Sequence, residues 1–384
     1  MIIGGGLAAD GAVKGIRELD KEGTICIISG ESDRPYIRPN LSKGLWKGKA
    51  IEKIWCNTED LGAELILNRR VTKVDPAEKK LVDEAGDEYI YEKLLIATGG
   101  DPIRLPFGED SIQYYRTLAD YRTLRALTEK GTSFLVIGGG FIGAELAASL
   151  RQNAKEVTMV FPEEAIGDRV YPRDLALSLN EYYRTQGVDV VNEDTILSVQ
   201  KEGDRIVATS GKGKKFVVDG VVAGIGIRPS VALAQAAGLT VSNGIEVDEY
   251  LQSSKSDIWA AGDVANFYHH FLQKRVRLEH EDNAVAMGKS AGRNMAGTKE
   301  TYTYTPMFYS DLFDLGYEAV GELDSRLDSV SDWEELYKKG VIYYLEGDLI
   351  KGILLWNVWG KVDEARAILE KKESHTKESV IGLL

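Results

Sequence analysis

The chain of 384 residues is 43% hydrophobic and 28% charged, the composition of an ordinary globular protein with room for two or three domains. A net charge of −13 argues against nucleic acid or anionic lipid as a partner, and no apolar run reaches the roughly 18 residues of a membrane span. The two cysteines, Cys26 and Cys56, form neither a disulfide framework nor a C-x-x-C pair, and the opening MIIGGG lacks an export pattern, so a cytoplasmic, reducing location is expected.

In chain order, the first predicted unit is MIIGGGLAADGAVKGI, a short apolar strand, a turn and a helix. Gly4, Gly6 and Ala9 fit the G-x-G-x-x-A spacing, in which small residues allow a tight turn and close approach of a pyrophosphate to the helix N-terminus. Only three residues precede the turn, so this strand is short. A second apolar run, TICIISGE, ends at Glu31, where this fold places a ribose-binding acid. Next comes RPYIRPNLSKGLW (34–46), whose prolines fix the backbone in a rigid loop presenting Arg38 and Lys43. LLIATGG (94–100) is a further strand and turn, and YYRTLADYRTLRAL reads as a helix.

The plan then repeats. FLVIGGGFIGAELAASL (134–150) is strand, glycine turn and helix, with G-x-G-x-x-G on Gly138, Gly140 and Gly143. The following strand, EVTMVF, leads to Glu163, an acid suited to both hydroxyls of an unphosphorylated ribose and repelling a 2′-phosphate. Arg169 stands close enough to temper that repulsion. One such match is weak; two in one chain, each with its strand, helix and spaced acid, indicate two dinucleotide sites. His269 and His270 lack further ligands at metal spacing, so no metal site is expected. Residues 303–384 alternate strand-like runs (VIYYLEG, IKGILLWNVW) with a helix at KVDEARAILEKK.

These motifs, with VVAGIGIRP (221–229), LQSSKSDIWAAGDVA (251–265), RLEHEDNAVAMGKSAGRNMAG and PMFYSDLFDLGYEAVG, resemble the FAD-dependent pyridine nucleotide reductases. The resemblance is closest to the branch of apoptosis-inducing factor and the oxygenase-coupled ferredoxin (NADH:rubredoxin-like) reductases. It implies an α/β fold of two Rossmann-like domains: a discontinuous FAD domain (1–112 and 246–302), an inserted NADH domain (113–245), and a C-terminal α+β domain (303–384) that in relatives covers the flavin and contributes to dimer contacts. For FAD it implies Gly4, Gly6, Ala9, Glu31, Arg38, Lys43, Val71, Ala97, Thr98, Gly99, Gly262, Asp263, Glu279, His280 and Tyr309. For NADH it implies Gly138, Gly140, Phe141, Ile142, Glu145, Glu163, Gly224, Gly226 and Glu279.

The same resemblance puts Arg38 on the pyrophosphate, Asp263 on the ribityl chain, and Lys43, paired with Glu145, at the flavin N5 edge. Phe141 covers the nicotinamide, Tyr309 shields the isoalloxazine, and His280 with Glu279 lies at the flavin and nicotinamide. Ser253 and Ser256 stand where relatives carry Thr and Pro. In disulfide reductases the rigid loop carries redox cysteines, whereas PNLSKG has none, so after hydride transfer from NADH to the flavin the electrons are expected to leave the flavin without a thiol relay. The expected acceptor is a ferredoxin- or rubredoxin-type carrier. Two alternatives stay open: a quinone or small oxidant, and a slow NADH-sensing flavoprotein whose dimerisation or partners respond to reduction.

Overall fold

The computed structural model describes residues 1–384 and divides them into two units. The first comprises Met1–Arg38, Ala50–Asp101 and Arg228–Met307. At its centre is a parallel five-stranded sheet in the order Ile258–Ala260, Leu94–Ile96, Ile2–Ile3, Ile25–Ile28, Ala63–Ile66. Strands covered on both faces read as continuous apolar runs, as ICII and LLI do. The first strand is only two residues long, yet it is held on both sides, with Ile2 opposite Ile27 and Leu95.

The helices Leu7–Leu19 and Glu281–Met295 cross with backbones almost touching. A Cβ on Gly292 would lie 2.1 Å from the Ala12 carbonyl oxygen, and one on Gly15 would lie 2.0 Å from that of Lys289. Glycine is the residue that permits this approach. The crossing fixes the N-terminus of each helix in relation to the other.

The second unit comprises Pro39–Lys49, Pro102–Ile227 and Phe308–Leu384. Its parallel sheet runs Val188–Val191, Glu156–Val160, Ser133–Ile137, Gly220–Ala223, Gln113–Tyr114. The helix Leu118–Lys130 starts in a capping box, in which Thr117 and Asp120 satisfy each other's backbone N–H groups. The C-terminal segment forms a five-stranded sheet in the order Met307–Leu312, Leu315–Gly321, Leu349–Trp356, Lys339–Glu346, Asp328–Glu335, antiparallel where its register is defined and followed by the helix Val362–Lys371. Aromatic packing joins this sheet to the rest of the unit: Tyr317 stacks on Trp356 at 5.8 Å, and Tyr171 packs edge-on to both. No helix is long and apolar enough to cross a membrane.

Candidate active site

In the first unit the glycine turn has the form a dinucleotide requires. Gly4 adopts φ +106°, and a Cβ there would sit 2.2 Å from the Ala97 carbonyl oxygen. A Cβ on Gly6 would meet nothing within 4 Å, so the space before the helix is open. Gly6 is the N-cap of Leu7–Leu19 and supplies no side-chain cap, which leaves the positive end of the helix facing that space. Ala9 is buried beneath it. These features fit the pyrophosphate of FAD.

Glu31 lies three residues past its strand and accepts from Tyr36 Oη at 2.7 Å and Arg38 Nη2 at 2.7 Å. Arg38 also donates to Tyr36 Oη at 2.8 Å and lies over that ring. The predicted ribose acid and phosphate cation are thus already partners. Thr98 donates to the Ser230 carbonyl, Gly99 turns at φ +65°, and Val71 is buried in the core. Gly262 turns at φ +77° and its N–H points at the Met287 sulfur, placing Asp263 at the start of a short 3-10 turn.

His280 is the N-cap of Glu281–Met295. Burial pulls its pKa down to about 4, opposed by the nearby Asp263 charge, so the ring is neutral at pH 7. Its neighbour Glu279 is held by Arg277 at 2.7 Å.

In the second unit the same geometry recurs. Gly138 has φ +115°, with a Cβ position 2.4 Å from the Gly224 carbonyl oxygen, and Gly226 turns at φ +98°. Gly140 caps Phe141–Gln152 without a side chain and faces open space, which suits a second pyrophosphate. Phe141 and Ile142 are exposed at this helix start, and Phe141 packs edge-on to Phe308 at 6.0 Å. Glu163 follows its strand and accepts from Arg169 Nη2 at 3.2 Å, so the nearby arginine does face the acid.

Lys43 and Glu145 belong to this second unit as well. Lys43 Nζ lies 2.7 Å from Glu145 Oε1, with the lysine side chain 11% exposed and the carboxylate 3%. The Tyr309 ring lies 5.1 Å from the ammonium. Two donors escaped the reading from sequence: Ser42 Oγ donates to Glu145 Oε2 at 2.5 Å, and Ser310 Oγ donates to Oε1 at 2.6 Å. Each stands next to a residue already singled out, which is the only signal the sequence offers for them.

Both thiols are free and part-buried. Burial pushes Cys26 up to about 11 and Cys56 up to about 12, leaving each protonated at neutral pH. His269 packs beside Phe267, and its Nδ1 accepts from the Leu272 N–H; His270 packs on Tyr268.

Comparison with known proteins agrees with this geometry. The pyridine nucleotide-disulphide oxidoreductase family matches residues 1–288, and the C-terminal domain of mitochondrion-associated apoptosis-inducing factor matches residues 291–336 and 331–371. Apoptosis-inducing factor 1 of Dictyostelium discoideum is 35% identical over 97% of this chain and 78% of its own length. The ferredoxin reductase subunit of the 5,5′-dehydrodivanillate O-demethylase of Sphingobium sp. is 35% identical over 84% of this chain and 81% of its own. A solved covalent complex of putidaredoxin reductase with putidaredoxin superposes with a TM-score of 0.91 at 28% identity, over 97% of this chain and 92% of the matched one. The chain belongs to the pyridine nucleotide-disulphide oxidoreductase family and is an FAD-dependent oxidoreductase that binds NAD(H).

Proposed function

We propose that this protein oxidises NADH and delivers the electrons to a small ferredoxin- or rubredoxin-type carrier. The observation that carries the proposal is the rigid loop at 34–46: it presents Lys43 paired with Glu145 instead of a redox thiol, and the chain's only cysteines are held protonated. The likeness to a putidaredoxin reductase solved with its carrier supports the choice of acceptor. When bound, FAD supplies the chemistry, accepting hydride at N5 and releasing electrons singly or in pairs.

The residues then bind, orient and tune. Gly4, Gly6 and Ala9 seat the FAD pyrophosphate, with Arg38 turning from Glu31 to the phosphates as Glu31 takes the ribose hydroxyls. Val71, Ala97, Thr98, Gly99 and Gly262 line this site, and Asp263 accepts from the ribityl chain. Gly138, Gly140, Gly224 and Gly226 seat the nicotinamide nucleotide, with Glu163 on its adenosine ribose and Phe141 and Ile142 at the nicotinamide. Lys43 lends positive charge to N5, Glu145 holds it, and Tyr309 shields the ring. His280 and Glu279 complete the flavin side, aided by the helix that starts at Glu281. In domain terms FAD belongs to 1–112 and 246–302, NADH to 113–245, and 303–384 forms an interface region.

A stopped-flow panel tests the proposal: the FAD-loaded protein is reduced by NADH without oxygen, then mixed separately with ferredoxin, rubredoxin, quinone and oxygen. Reoxidation by an iron–sulfur carrier at least tenfold faster than by quinone or oxygen is expected. The reverse order, or slow reoxidation by all four, refutes it.

A further inference from the structure

We propose that Ser42 and Ser310 are positioning residues that fix the Glu145 carboxylate, and through it the Lys43 ammonium, and so help set the reduction potential of the flavin. The inference rests on the placement of Lys43 beside flavin N5 proposed above.

Three separate segments of the second unit meet at one carboxylate: the loop carrying Ser42 and Lys43, the helix Phe141–Gln152 carrying Glu145, and the strand Met307–Leu312 carrying Ser310. Ser42 bonds Oε2, whereas Ser310 and Lys43 both bond Oε1. With both oxygens engaged by donors from different segments, rotating the carboxylate about its last bond breaks at least one of these hydrogen bonds. A lysine ammonium is a compact charge on a flexible stem and does not orient its partner by itself. The hydroxyls impose the orientation.

The serines are themselves fixed. Ser310 is fully buried, Ser42 is 3% exposed, and the Ser42 carbonyl accepts from Ser149 Oγ at 2.8 Å. Buried hydroxyls are costly unless bonded, and both of these donate to Glu145, with Ser42 Oγ at 2.5 Å from the carboxylate and 3.4 Å from the Pro39 carbonyl. Ser310 also directly follows Tyr309, so one strand supplies both a hydroxyl to the carboxylate and the ring near the ammonium.

The test is a double-mutant cycle read as the midpoint potential of bound FAD, a quantity that a purely structural role does not move. Ser42→Ala and Ser310→Ala are each made with Lys43 present and in the Lys43→Met background. Each serine variant is expected to lower the equilibrium constant for flavin reduction about tenfold when Lys43 is present, which for a two-electron couple is about 30 mV. In the Lys43→Met background the same substitutions are expected to produce no further shift. Ser42→Thr, which keeps the hydroxyl, is expected to retain the parent potential. Equal shifts in both backgrounds, or none with Lys43 present, overturn the proposal. If Lys43→Met alone leaves the potential unchanged, the placement of Lys43 at N5 falls and this proposal falls with it; a shift for Lys43→Met without one for the serines overturns this proposal alone. Should Ser310→Ala prevent folding, the Ser42→Ala arm decides the matter.

Discussion

The pair Lys43–Glu145 makes the sharpest energetic prediction. Removing one member of a buried ion pair strands the other charge and costs about 3–5 kcal/mol. Lys43→Met leaves a carboxylate that is 3% exposed with only its two serine donors. Glu145→Gln keeps an acceptor for one hydroxyl but strands the ammonium. Each single substitution is therefore expected to destabilise by about 3–5 kcal/mol, two to more than three orders of magnitude in the folding constant. Combining them removes both charges, so the double variant is expected to be no less stable than either single, a coupling of about 3 kcal/mol. Equilibrium urea unfolding of all four chains at one saturating FAD concentration, followed by circular dichroism, measures this. Losses below about 1 kcal/mol for the singles, or strictly additive losses in the double, refute the reasoning.

Three further outcomes follow from other parts of the molecule. His269 is 2% exposed, and burial lowers its pKa from 6.5 to about 4, so the unfolded chain binds a proton in that window and the folded chain does not. Stability is expected to fall by about 3 kcal/mol as pH drops from 6.5 to 4, and His269→Phe to remove that part of the slope in denaturant midpoints; an unchanged slope counts against the assignment. Gly292→Ala forces a Cβ against the Ala12 carbonyl and is expected to cost about 1–3 kcal/mol of stability, with a loss near zero showing that the helix crossing is looser than described. Glu163→Ala is expected to reduce kcat/KM for NADH relative to NADPH by roughly 10–100-fold, the worth of hydrogen bonds to a charged group; an unchanged ratio removes Glu163 from the ribose.

Much of the fold was legible because local geometry leaves few residues able to do these tasks. The turn at Gly138 needs a positive φ and a backbone contact that only glycine tolerates, so its spacing announces the strand and helix around it. What the sequence does not encode locally is which polar side chains turn inward across segments far apart in the chain. Ser310 reaches Glu145 from a strand 165 positions away, and no pattern within either segment marks the meeting. Likewise, the pairing of Arg277 with Glu279 depends on a side-chain orientation that spacing alone leaves open.

The central claim is that electrons pass from NADH through FAD to an acceptor without sulfur. Its most direct test is the Cys26→Ser/Cys56→Ser variant, loaded with FAD and assayed for NADH-driven reduction of an iron–sulfur carrier. Bleaching of the flavin by NADH and carrier turnover within about twofold of the parent are predicted, because both thiols are part-buried and protonated. A loss of a hundredfold or more in a variant that still binds FAD would contradict the claim.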